Sequence, residues 1–420
     1  MFRKELNMAY SVEEAKQLVI DAGLRLQREG LIVRTWGNIS ARISDTQFVI
    51  TPSGKGYESL TLDDIVTVDI KKCTYEGDIK PSSECGIHAD VFAMRPEVNF
   101  VVHTHQTYAS VVSIVGEEIE LSEEEKKFLG DKVPCANYGM SSSAPLRRQV
   151  KKALKANSGC KSMLLRNHGV LCMGTDFENA FEISSCLEQI CKYKYEQFTQ
   201  SYNRIEVNNN LDMGEIDQTA DETEEVDTSD LKEGGYVDYG YSHIDGKEIT
   251  LTLGEDEYKY NIGDKKPIGS NLFKKKLNRI AILHSKIYEN RDIRCIYHVT
   301  LPATVDVSAK SKGFDAYIDD MAQIVGENVK CVGKIGKKPH IESVSAIVKG
   351  LKGNSAVLIA GQGAICTGSS ESDVEATAYV LEKSCMAAKL AMCHPSAKSV
   401  PKRIAKKERK FYQETYSKLK

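Results

Sequence analysis

Apolar positions recur with two different periods along this chain, and the switches between them mark out its elements. Val12, Ala15, Val19, Ala22 and Leu26 follow helical spacing. Ser11 and Glu14 read as a capping box ahead of them, and Gly30 as the stop. Three short β-like runs follow, ISARIS, QFVITPS and DIVTVDI. A helical stretch near 84–95 leads into VNFVVHTHQ (98–106), an apolar strand that ends on two histidines. An acidic helix in LSEEEKKFL comes next, then a helix near 144–156 and a strand in SMLLRNHGVLCMG (162–174). A long helix closes the first half, opened by a second capping box of Thr175 and Glu178.

From 206 to 235 the periodicity stops. The segment is acidic, nearly free of aromatics and ends in Gly-Gly, the composition of a mobile linker. Beyond it the first half repeats, weakly but in order. GDIKPSSE (77–84) returns as GDKKPIGS (263–270), and FVVHTHQTYASVVS (100–113) as CIYHVTLPATVDVS (295–308). KVPCANYG returns as NVKCVGKIG, and SMLLRNHGVLCMG as AVLIAGQGAICTG (356–368). The expected organisation is therefore a domain over 1–205, a linker over 206–235 and a second copy over 236–420.

The second copy keeps the apolar strands and turn glycines but loses polar residues. His103 has a counterpart in His298, whereas His105 falls on Thr300 and His168 on Gln362. Glu84 falls on Ser270, or on an apolar residue if a gap is placed differently. Packing explains what the copies share. It does not explain His105, His168 and Glu84.

Side chains alternate faces along a strand, so His103 and His105 point the same way and can serve one metal ion. A catalytic zinc site commonly has three protein ligands and one open position. His168, at a strand end in RNHGV, is the natural third. Imidazoles accept zinc, manganese or cobalt, so the donor set leaves those alternatives open.

Composition narrows the setting. At 420 residues the chain is long enough for two or three domains. A net charge of −3 gives no reason to expect nucleic-acid binding. No apolar run reaches the roughly 18–20 residues that span a bilayer, and the N-terminus has no signal-peptide core. The twelve cysteines are scattered, none in a CxxC, and several lie in apolar runs. This suits reduced thiols in a cytoplasmic protein and not a disulfide framework.

Six motifs then stand in a recognisable order: TWGNIS (35–40), ITPSG (50–54), PSSE (81–84), HTH (103–105), PCANYG (134–139) and NHG (167–169). With these the first half, over roughly 10–200, resembles the class II aldolase/adducin family, which includes L-fuculose-1-phosphate aldolase. The resemblance implies an α/β fold, a three-layer α/β/α sandwich around a mainly antiparallel sheet, here in two tandem copies with the second lacking a metal site. It implies a zinc held by His103, His105 and His168, which stabilises an enediolate as a Lewis acid. Glu84 takes the role of proton carrier by motif match. Gly37, Asn38, Ser53, Gly54, Ser82 and Ser83 match the phosphate cradle, where short side chains let backbone amides approach an anion.

The activity implied is cleavage of a phosphorylated ketose to dihydroxyacetone phosphate and an aldehyde. Alternatives on the same site are a sugar-phosphate 4-epimerase or another enediolate lyase such as a decarboxylase or dehydratase. A non-catalytic, adducin-like interaction protein is a further alternative, and it would predict lost histidines in the first copy. The partner implied is a small sugar phosphate, with no nucleic acid and no membrane. The family commonly forms tetramers, so a homo-oligomer is implied, with two two-copy chains able to mimic four subunits. The family's acid/base tyrosine from a neighbouring subunit has no counterpart in SIVGEEIELSEEEKKFLG; a C-terminal aromatic from a neighbour is also typical of the family, a part that Tyr412 or Tyr416 could play.

Overall fold

The computed structural model describes residues 10–32, 36–205, 237–269, 275–334 and 341–414. The acidic segment read as a linker, together with Ser270 and Tyr416, lies outside them. The chain divides into two compact units. The first comprises the residues up to Gln200 with Cys393–Ser399 and those from Lys410 on; the second comprises Ser201–Met392 and Val400–Arg409.

The first unit opens with helix α1 (Val12–Arg28), whose Ser11–Glu14 capping box is formed on both sides and whose Ala15, Val19, Ala22 and Leu26 are buried. Strands β1 (Gly37–Arg42), β2 (Gln47–Ile50) and β3 (Val66–Asp69) follow, then α2 (Cys85–Met94) and β4 (Phe100–Thr104). After them come α3 (Thr107–Val112), α4 (Glu123–Leu129), β5 (Cys135–Ala136), α5 (Ala144–Ala156), β6 (Ser162–Leu165), β7 (Gly169–Gly174) and α6 (Phe177–Phe198). The sheet runs β3-β2-β1-β4-β7-β6-β5. Every neighbouring pair is antiparallel except β5 with β6, which is parallel.

Successive residues of β4 show how the layers form. Phe100 meets Phe177 of α6, while Val101 packs in one core with Ile87 of α2 and Leu146 of α5. Neighbours on a strand face opposite ways, so α6 covers one side of the sheet and α2 with α5 the other. His103 has the parity of Val101 and faces the α2 side.

Two local expectations need correcting. SMLLRNHGVLCMG is not one strand but a hairpin, β6 and β7, turned at residues 166–168 with Asn167 at φ +61°. An unbroken apolar period concealed the turn, because Asn-His-Gly can reverse the chain while both flanks stay buried. The cap of α6 is Asp176, which accepts from the Asn179 amide; Thr175 and Glu178 form no capping box. Asp competes as well as Thr for that position, and here it stands one residue nearer the helix.

The second unit has strands β8 (Tyr241–Asp245), β9 (Glu248–Leu253) and β10 (Asp256–Asn261), then α7 (Lys275–Ile287), β11 (Cys295–Val299), α8 (Pro302–Lys310) and β12 (Gly313–Asp315). Strand β13 (Asn328–Val332), α9 (Val344–Leu351), β14 (Ala356–Ile359), β15 (Gly363–Gly368) and α10 (Glu371–Cys393) follow, and α11 (Lys402–Glu414) belongs to it up to Arg409. Its sheet order, β10-β9-β8-β11-β15-β14-β13-β12, repeats the first with one added edge strand. The registers agree residue by residue: Phe100 pairs Gly174 as Cys295 pairs Gly368, and Thr104 pairs Val170 as Val299 pairs Ala364. No described helix is long and apolar enough to cross a membrane.

Candidate metal and substrate site

Strand β4 carries His103 at its last turn of pairing, opposite Asn38 of β1 and Leu171 of β7. His105 lies just past the strand end, and His168 sits in the β6–β7 turn. The ligand nitrogens of the three rings lie within 4.8 Å of one another. His103 Nε2 is 3.1 Å from His105 Nε2. His103 Nδ1 lies 2.7 Å from the Val170 carbonyl. A carbonyl only accepts, so Nδ1 carries the proton and Nε2 presents its lone pair to the cluster. Three convergent imidazoles, one with its tautomer fixed this way, fit a tetrahedral divalent cation such as zinc and leave room for a further ligand.

Glu84 precedes α2 and is 7% exposed. Its Oε2 lies 3.1 Å from His103 Nε2, its Oε1 3.3 Å from His168 Nε2, and Oε1 also accepts from the Ser142 amide at 3.1 Å. Burial alone would raise the carboxyl's pKa. When protonated, the His168 and His103 rings outweigh it and hold the group well below the usual carboxylate range.

Of the loop residues, Ser82 and Ser83 are tied to Glu84 and to its partner Ser142. Pro52 and Pro81 form an isolated bridge, Ser53 N donates to the Lys80 carbonyl at 3.0 Å, and Ser82 N donates to the Thr51 carbonyl at 3.0 Å. The ITPSG and PSSE loops are thus stitched together in antiparallel register, with Ser53 opposite Lys80 and Ser82 opposite Thr51. Ser82 Oγ accepts from the Glu84 amide, and Ser83 Oγ bonds Ser142 Oγ at 2.8 Å. Gly54 has φ +75° and Gly37 φ +144°. A Cβ on Gly37 would lie 2.7 Å from the His103 carbonyl, so only glycine lets β1 approach β4 here.

Asn38 belongs to a buried chain that sequence reading did not detect. His88 Nε2 meets Asn38 Oδ1 at 2.5 Å, and His88 Nδ1 meets Ser40 Oγ at 2.6 Å. The second unit repeats this chain with Ser242 Oγ on His284 Nδ1 at 2.6 Å, but there Nε2 faces the Tyr239 carbonyl at 2.8 Å. The carbonyl requires Nε2–H, and the repeat carries that tautomer over to His88. His88 therefore donates to Asn38 Oδ1, and the Asn38 amide NH2 is the end left to offer a ligand. The signal was available in the repeat, since Ser40 and His88 recur as Ser242 and His284. Ser142 and Asn167 also escaped notice. Asn167 Nδ2 donates to the Lys398 carbonyl at 2.6 Å, and Arg166 to that of Ser396 at 3.3 Å, so the 393–399 segment braces the turn that presents His168.

The same positions in the second unit have no such chemistry. His298 donates from Nε2 to the Gln362 carbonyl at 2.8 Å, and its Nδ1 accepts from the Tyr239 amide at 3.4 Å. Both nitrogens are occupied by backbone. Counting back four residues from His88 and His284 sets Glu84 against Ile280, a buried apolar residue.

The family model for the class II aldolase and adducin N-terminal domain matches residues 17–195 and 246–388. The chain belongs to this family, in two tandem copies. Among individual relatives, it is 30% identical over 198 residues to L-ribulose-5-phosphate 4-epimerase UlaF of Salmonella paratyphi C, spanning 43% of this chain and 84% of that protein. Among solved structures it is similar to an L-fuculose 1-phosphate aldolase, with 30% identity, a TM-score of 0.40 and coverage of 44% of this chain and 88% of that one. It is also similar to L-fuculose-1-phosphate aldolase from Thermus thermophilus, with 26% identity, a TM-score of 0.38 and coverage of 44% and 96%.

Proposed function

We propose that the first copy is a metal-dependent aldolase that cleaves a phosphorylated ketose, such as L-fuculose 1-phosphate, to dihydroxyacetone phosphate and an aldehyde. The observation that carries this reading is the convergence of His103, His105 and His168 on one point, with the Glu84 carboxylate in contact with two of them. His103, His105 and His168 would hold the cation, zinc first and manganese or cobalt as alternatives. Such a cation supplies Lewis acidity toward a ketose carbonyl and its neighbouring hydroxyl.

The chain's own residues do the rest. Glu84, kept ionised by its neighbours, exchanges a proton at the carbon that bond cleavage leaves electron-rich. Asn38, oriented by His88, donates to a substrate oxygen. Ser53, Gly54, Ser82 and Ser83, with Gly37, make a phosphate cradle of small side chains and amides. The domain bounds go with this reading: a catalytic copy over 1–205, a linker over 206–235 and a metal-free copy over 236–420. The protein would act as a cytoplasmic homo-oligomer; all twelve cysteines are free thiols, as a reducing compartment favours.

A second reading has its own support. The relative described above is named as a 4-epimerase, and epimerisation at that carbon needs the same cleavage followed by re-addition to the opposite face. One experiment separates the two. Purified protein is given L-fuculose 1-phosphate and, separately, L-ribulose 5-phosphate, and products are followed by coupled assay for dihydroxyacetone phosphate and by NMR. Release of dihydroxyacetone phosphate supports the aldolase. Conversion of the pentose to its 4-epimer without cleavage products replaces it with the epimerase. Turnover of neither, with metal bound, removes both.

A further inference from the structure

Cys85 follows Glu84 directly, as the first residue of α2. Its Sγ lies 3.7 Å from that of Cys73, in the turn after β3. Both thiols are half-buried, and both pack at the edge of the core between the sheet and α2. Cys73 holds a left-handed conformation, φ +56°, which a residue with a Cβ adopts at some cost. The Arg147 guanidinium crosses this spot. It overlies Gly86, where an added Cβ would come within 2.8 Å of Nη1, and it is held by Asp90 at 2.7 and 3.1 Å.

The surroundings make the two sulfurs unequal. The Cys85 thiol donating to it and the nearby Arg147 charge outweigh burial and draw the Cys73 thiol down to about 6, while the same contact and burial push Cys85 up. The remaining cysteines with a resolved shift are all raised, chiefly by burial. A partly exposed thiol of lowered pKa beside a second thiol is the arrangement that oxidants attack first.

We propose that Cys73 and Cys85 are a redox modification site: a peroxide converts them reversibly to a disulfide that displaces Glu84. The Cys73 thiolate attacks one peroxide oxygen, giving a sulfenic acid and releasing the other oxygen as water after protonation. The Cys85 sulfur then attacks the sulfenic sulfur and expels a second water. Two thiols and one hydrogen peroxide become one disulfide and two waters, and an external thiol reverses the change by exchange. Closing the sulfurs from 3.7 Å to the roughly 2.05 Å of a disulfide must move one anchor or both. Cys85 is tied into the turn that positions Glu84, because its amide donates to the Ser82 carbonyl and Ser82 Oγ accepts from the Glu84 amide. A pull on Cys85 therefore acts on the carboxylate. This consequence rests on the role proposed for Glu84, whereas the disulfide itself does not.

The test uses the full chain, reduced, desalted and treated with graded hydrogen peroxide, then alkylated, digested and mapped by mass spectrometry. One cross-linked peptide pair joining Cys73 to Cys85 is expected, at peroxide levels that leave the other ten cysteines reduced. Dithiothreitol should reverse it, and it should be absent from Cys73→Ser. Hydrogen exchange in the peptides carrying Glu84 and Ser142 should rise in the oxidised form, since the Ser142 amide donates to Glu84. Cleavage of sugar phosphate should fall by about a hundredfold if the carboxylate shifts by about 1 Å. Peroxide that oxidises other cysteines first, or a Cys73–Cys85 bond that leaves exchange at Glu84 and Ser142 unchanged, overturns the proposal. A reduced protein that cleaves no sugar phosphate overturns the aldolase reading instead, and leaves the mapping and exchange results to decide this one.

Discussion

Histidines in this chain are used in two opposed ways. His103, His105 and His168 converge on a point and are available to a cation. His88 and His284 are fully enclosed and held neutral, chiefly by burial, with their pKa values drawn down to about 3 and about 4. The sign of the consequence is definite. An unfolded histidine takes up its proton near pH 6.5, so between there and the folded values the unfolded state binds more protons. Stability contributed by the two neutral rings is complete above pH 6.5 and is lost as pH falls toward 4 and then 3. Thermal unfolding midpoints measured from pH 7.5 to 4 should drop with pH, and His284→Gln should flatten that dependence. Gly37 gives a second residue-level prediction. Gly37→Ala combines an unfavourable φ with a 2.7 Å clash against the His103 carbonyl and should cost about 1–3 kcal/mol in chemical denaturation, with weaker metal binding. A denaturation midpoint equal to that of the parent would mean that β1 can retreat from β4. At this scale the sequence was informative where a residue's type departs between copies. It was silent on His88, because a buried histidine within a helix reads as ordinary core until its partner is known.

Elements explain why the three histidines and Glu84 meet. The β4 end, the β6–β7 turn and the start of α2 meet because β4 and β7 are neighbours and α2 covers their face. The Ser–His pairs on β1–α2 and β8–α7 recur in both units, so they belong to the scaffold; only in the first does the pair end on a side chain, Asn38. Ser40→Ala and Ser242→Ala should therefore each cost about 1–3 kcal/mol of stability, the penalty for leaving a buried partner unsatisfied. Only Ser40→Ala should raise KM for a sugar phosphate, because it frees the His88 ring that sets Asn38. Equal effects of both variants on KM would remove Asn38 from the binding site. Helix positions were legible from periodicity and capping residues. The β6–β7 hairpin was not, since both strands are buried on each face and the apolar period runs straight through the turn. The brace of residues 393–399 on Arg166 and Asn167 was beyond reach, because no local pattern encodes a contact between segments some 230 residues apart in the chain.

The chain is a duplication that repeats its strand order in both units and, among the described residues, shows the three-histidine cluster in the first alone. Strand registers coincide between the units, while His105, His168 and Glu84 are replaced by Thr300, Gln362 and Ile280. That contrast was legible in the sequence, apart from the exact counterpart of Glu84, which required the common His88–His284 register. One metal site per chain, in the first copy alone, is the consequence to test. The direct test is metal content of the purified protein by elemental mass spectrometry, with the parent compared with His105→Ala. The parent should hold about one zinc per chain and the variant essentially none, as expected for a site of three protein ligands. Two metals per chain, or a full complement surviving in His105→Ala, would contradict it.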